Sequence, residues 1–139
     1  MELQQQVTNL ELSKRMKELG FKQESLFYWI KTYDRFEKPI LNHNLMRDMS
    51  IRGDLILNET PQTDHTYPAY TVAELGEMLP SKVHDQYHEI EHKFECGCWK
   101  TAIANVVTGK WNLSETFIGE TEADARAKML IYLKENNLI

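Results

Sequence analysis

Two cysteines, six glycines and four prolines in 139 residues exclude several classes of protein at the outset. Cys96 and Cys98 stand one residue apart, a spacing that would close only a small strained ring, so no disulfide framework is expected and reduced thiols are the default. Gly53, Gly97, Gly109 and Gly119 are isolated, and no glycine-rich loop cradles a phosphate. Long apolar runs are missing too. No stretch approaches the roughly 18 apolar residues of a membrane span, and the opening MELQQQVTNLELSKRMKEL lacks the basic-then-apolar order of an export signal. The expectation is a soluble cytoplasmic protein with no membrane partner.

Basic charge is scarce as well. Sixteen Lys and Arg face 21 Asp and Glu, for a net charge of −5, and the excess of acid lies beyond residue 50. Such a surface offers phosphates little attraction, which disfavours general nucleic-acid binding. What remains is an ordinary globular composition, 42% apolar and 27% charged, in a chain long enough to bury a core without a metal. Residues 1–8 read as a polar tail and residues 9–139 as a single domain.

Leu12, Met16 and Leu19 recur at helical spacing, and Gly20 is placed to end that helix. Glu11 with Arg15, and Lys14 with Glu18, sit four apart on its wet side. Residues 26–31, LFYWIK, are rich in strand formers. The segment after them has no clear period and contains Pro39, so it reads as a long connection with room for one short strand. Arg52-Gly53-Asp54 reads as a tight turn before a strand over 55–58. Beyond a polar loop, Thr71 and Glu74 form a capping box for a helix with Val72, Leu75, Met78 and Leu79 as its apolar stripe, stopped by Pro80. Thr121 caps a last helix reaching about residue 136, acidic in its first turn and basic later, with Ala123, Ala127, Leu130 and Leu133 along one side.

The stretch HDQYHEIEHKFECGCW, residues 84–99, raises the question of a metal. On a helix, His84, His88 and His92 would stack on one face, and Cys96 and Cys98 could complete a zinc site of imidazole and thiolate ligands. The same residues also alternate, with His88, Ile90, His92, Phe94 and Cys96 on one side and Glu89, Glu91, Lys93 and Glu95 on the other, which is the mark of a half-buried strand. Along a strand, residues four apart stand about 13 Å from each other and cannot grip one ion. The cysteine spacing also departs from the C-x2–4-C of zinc sites. The reading taken is an extended strand over 87–96 that turns at Gly97 into a second strand over 99–106, with a continuation over 112–118. Zinc at these five residues is the competing reading, and no other cofactor is expected.

Two further groupings have ordinary explanations. The aromatics and cations between Phe27 and Phe36 could stack bases, but a core strand with a solvated edge accounts for them. Asp64 beside His65 lies in a loop with no nucleophile tied to it.

Three blocks, LSKRMKELGFKQESLFYW, YPAYTVAELGEMLP and TGKW followed by TEADARAKMLIYLKENNLI, cover about half of the chain. They resemble a group of small uncharacterised proteins encoded by phages and prophages of gut bacteria of the Bacteroides type. That resemblance implies no activity and no catalytic residue.

The fold expected is α+β: an antiparallel sheet of about four to five strands with three helices packed on it. The function expected is that of a non-enzymatic accessory or interaction protein whose partner is a host or phage protein, with self-association open. Its alternatives are a zinc-binding or metal-dependent hydrolytic enzyme using residues 84–98 and a nucleic-acid-binding protein.

Overall fold

The computed structural model describes residues 3–32, 35–41 and 66–139. The strand expected over 55–58, the Arg-Gly-Asp turn and the Asp64–His65 pair lie outside the described residues. Where one domain was expected, the chain gathers into two compact units, Met1–Thr71 and Val72–Ile139. The architecture is α+β, but the strands form two three-stranded antiparallel sheets in place of a single sheet of four or five.

In the first unit the polar opening is part of the fold. A 3-10 turn at Leu3–Gln5 leads to Val7, which is buried and bridges to Thr71. Helix α1, Leu10–Glu18, starts at Asn9, whose side chain accepts from the Leu12 N–H at 2.9 Å. Its surface charges pair three apart, Lys14 with Glu11 and Arg15 with Glu18. Strands β1 (Phe27–Thr32), β2 (Arg35–Leu41) and β3 (Thr66–Pro68) follow in the order β2-β1-β3. Among the described residues β2 is an edge strand, a position compatible with Pro39 because a missing N–H there need not break the ladder. Trp29 packs with Val7 and Ala69 and donates its indole N–H to the Thr8 carbonyl at 2.9 Å. The Thr8 hydroxyl bonds Ser13 at 2.7 Å and accepts from the Tyr70 N–H at 3.1 Å. The buried hydroxyls of Thr8 and Ser13 and the Trp29 indole N–H are therefore satisfied, as burial requires.

The second unit runs α2 (Val72–Met78), β4 (His88–Glu95), β5 (Cys98–Asn105), β6 (Trp111–Gly119) and α3 (Glu122–Glu135). Its strands form a meander, β4-β5-β6. Cys96 and Gly97 make the two-residue turn between β4 and β5 with φ of 53° and 79°, the double positive φ that suits the twist of a hairpin. Both helices contact each other, and α3 lies on β5 and β6. Thr121 caps α3 by accepting from the Asp124 N–H at 3.1 Å. Ala123, Ala127, Leu130 and Leu133 are all buried. Val83, Ile103, Met129 and Leu133 form the core, with Ile90, Phe117 and Tyr132 packed against it.

The sheet's two faces differ. Ile90, His92, Thr101, Ile103 and Phe117 share the face under α3, since directly opposed residues point the same way. On the other face Trp111 reaches across the small Ala102 and Ala104 to donate to Glu91 at 2.7 Å, while the Lys93 ammonium stands 4.1 Å from its ring centre. Two alanines leave room for one indole.

Candidate functional site

A cluster of ionisable side chains in the second unit surrounds Glu115. It owes its position to an interruption of β6. Between the Ala102–Thr116 and Ala104–Trp111 pairs the chain advances two residues on β5 and five on β6. The extra residues form a bulge tied by its own side chains: the Asn112 carboxamide oxygen accepts from the Ser114 hydroxyl at 2.8 Å and from its N–H at 3.2 Å. Thr116 closes the bulge by donating to the Asn112 carbonyl at 2.8 Å.

This local geometry turns Glu115 inward, where it is only 8% exposed. Its Oε1 accepts from the Tyr132 hydroxyl at 2.8 Å and lies 3.1 Å from His84 Nε2, while Oε2 accepts from Asn112 at 2.9 Å. Burial alone would raise the pKa of this carboxyl. The donors from Tyr132, His84 and Asn112 outweigh it and hold the group below its ordinary value. The same bond raises the Tyr132 phenol, because its proton is held by a carboxylate.

His84 reaches Glu115 from a backbone with φ of 67°, a left-handed conformation that histidine adopts more often than most residues. The next residue, Asp85, accepts from the Tyr87 N–H at 2.7 Å and lies 2.8 Å from His88 Nδ1. The His88 bond is the main cause of the lowered Asp85 pKa. The two imidazoles meet edge to face at 6.2 Å between centres. Each ring is thus held by its own carboxylate, and the pairs Glu115–His84 and His88–Asp85 abut.

The five residues suggested as zinc ligands do not come together. His88 and His92 are on one extended strand, about 13 Å apart by strand rise. His92 bonds the buried Thr101 hydroxyl at 2.9 Å under α3. Burial, with a smaller contribution from Arg126, lowers its pKa to about 4. Cys96 is exposed in the turn, and the Cys98 thiol donates to the Glu95 carbonyl at 3.4 Å. Among the described residues, no three His, Cys, Asp or Glu side chains are placed to hold a metal ion. Strand geometry separates what a helix would have stacked.

Sequence reasoning found His84 and His88 but missed Glu115 and Tyr132. Nothing in WNLSETFIG marks one glutamate as buried. The nearest signal was Asn112 two residues before Ser114, a turn-forming pair inside a strand pattern.

Compared with known proteins, the chain matches no family model, no curated protein and no solved structure.

Proposed function

We propose that this chain is a non-enzymatic accessory protein of phage or prophage type that works by docking a host or phage protein. The observation that carries this reading is the distribution of apolar surface on the second unit. Val107, 74% exposed, sits with Tyr87 and Val106 where β4 begins and β5 ends, and the Val106 N–H donates to the Tyr87 carbonyl at 2.8 Å. Leu113, 87% exposed, stands on the β6 bulge. Large apolar side chains held out by ordered turns are a common feature of protein-binding surfaces.

The chemistry of the Glu115 cluster favours a structural role for it. The carboxylate accepts from three donors, so its capacity is committed to holding the bulge and α3 together. The thiols sit at the far end of β4 from His84, which separates a nucleophile from the oriented imidazole. Phosphate binding is disfavoured by Glu120, Glu122 and Asp124, which surround the N-terminal end of α3 with negative charge.

The test is site-specific photocrosslinking in cells carrying the element, with the crosslinker at Val107 or Leu113. The reading predicts one discrete protein adduct, reproduced with the purified partner and lost in a Val107→Asp, Leu113→Asp variant of native circular dichroism. A hydrolytic turnover abolished by His84→Ala in the purified chain would replace it.

A further inference from the structure

Among the described residues, strand β4 is an edge of its sheet. Its inner side pairs with β5 along the whole strand, and among the described residues its outer side is paired only near its start, by Lys82 opposite Glu89 and by Val83 and Asp85 at His88. The direction of its backbone groups follows from two bonds. The Tyr87 carbonyl accepts from Val106 on the β5 side at 2.8 Å, and the His88 carbonyl accepts from Val83 on the outer side at 3.0 Å. Alternation along a strand then directs the N–H and C=O of His92 and Phe94 outward, beyond the reach of Lys82.

We propose that a second copy of this chain pairs antiparallel with this free length of β4 about a two-fold axis at Phe94, joining two meanders into a six-stranded sheet. Charge selects the register. Centring the axis on Phe94 sets Lys93 opposite the second copy's Glu95, and Glu95 opposite its Lys93, in the close non-hydrogen-bonded positions where side chains meet. Centring it on Lys93 would oppose two lysines and set Glu91 against Glu95. Centring it on His92 would put the second copy's Glu95 where Lys82 already stands.

The same axis accounts for an exposed aromatic pair. Phe94 is 61% exposed and touches Trp99 at 5.5 Å between ring centres. A two-fold normal to the sheet keeps both copies of this pair on one face, with the two Phe94 Cα atoms about 5.5 Å apart. Four rings then cover one another. On the opposite face, Glu95 already lies 3.0 Å from Lys93 and 3.6 Å from Lys100 of its own chain, so the second lysine completes a ring of alternating charge. The outward Phe94 and His92 groups, with the Cys96 N–H continuing the alternation, supply roughly four backbone hydrogen bonds across the axis.

This pairing is independent of the docking surface proposed above, which lies at the other end of β4. The contact is short, of the small class typical of weak complexes, so a micromolar dissociation constant is the one the test must reach. The test is sedimentation equilibrium of the full chain from about 1 to 500 µM, a range that brackets such a constant. The expected result is a concentration-dependent rise from 16.4 kDa toward twice that mass. Lys93→Glu should raise the dissociation constant at least ~10-fold by facing two carboxylates. The exchange Lys93→Glu with Glu95→Lys should restore it, and Phe94→Ser should raise it comparably with native circular dichroism. A single 16.4 kDa species throughout, or a dimer indifferent to both Lys93→Glu and Phe94→Ser, overturns the proposal.

Discussion

Lowering the pH from 7 to 5 should weaken the second unit through one side chain, His92. In the folded protein its ring lies under α3 against Thr101, with a pKa lowered to about 4 by burial and then by Arg126; Glu122 offsets a little of this. In the unfolded chain it returns to about 6.5. The folded state therefore binds fewer protons, and stability falls as pH drops below the unfolded value and stops falling below about 4. The full shift corresponds to about 3.4 kcal/mol, but the ring is partly open to solvent, and screening reduces this to about 1–2 kcal/mol. About 1 kcal/mol should be lost by pH 5. Urea unfolding at half-unit steps of pH measures it, with His92→Gln as the control, since a carboxamide can still bond Thr101 but does not titrate. The variant should have a flatter profile by that amount. Equal slopes for the two proteins, or an imidazole NMR midpoint for His92 near the free value, would refute the placement of this ring.

Other substitutions probe the elements around it. Glu115→Gln should cost about 1–3 kcal/mol, because an amide N–H2 would face groups that now donate, and thermal unfolding would register the loss. Native Glu115 is held below its usual pKa, so its contribution is present at neutral pH and lost as pH falls through the folded value. Gly119→Ala should destabilise by about 1–3 kcal/mol or more, since its new methyl would meet the Ala125 nitrogen at 2.4 Å and the Thr121 oxygen at 2.8 Å; urea unfolding measures the cost. Thr121→Ala removes the acceptor for the Asp124 N–H and should cost about 1 kcal/mol, seen as earlier hydrogen exchange in the first turn of α3.

The parts of this fold visible in sequence are those with local causes. Helix α3 shows its cap, its charge polarity and its small apolar side, and β4 shows an alternation that strand geometry alone explains. Strand β2 was obscured because Pro39 is a poor central-strand residue, and only the sheet order shows that among the described residues its strand is an edge. Val7 and Thr8 looked like tail residues because their burial depends on Tyr70, Trp29 and Thr71, far along the chain. In the first sheet the pairing of β1 with β3 joins residues about forty apart, such as Tyr28 and Pro68, which no short window contains. In the candidate site, His84 and His88 stood out by type, whereas Glu115 acquires its character from a bulge that must form before the side chain turns inward.

The account depends on β4 being extended, because that is what disperses the imidazoles and thiols. A nuclear Overhauser spectrum of labelled protein in heavy water tests this directly through the α-protons of His92 and Thr101 and of Ile90 and Ile103, which face each other across the hairpin. Strong cross-peaks for both pairs are the expected result. Helical contacts from each residue to the third one after it, between His84 and His92, would contradict it and bring the stacked ligands back.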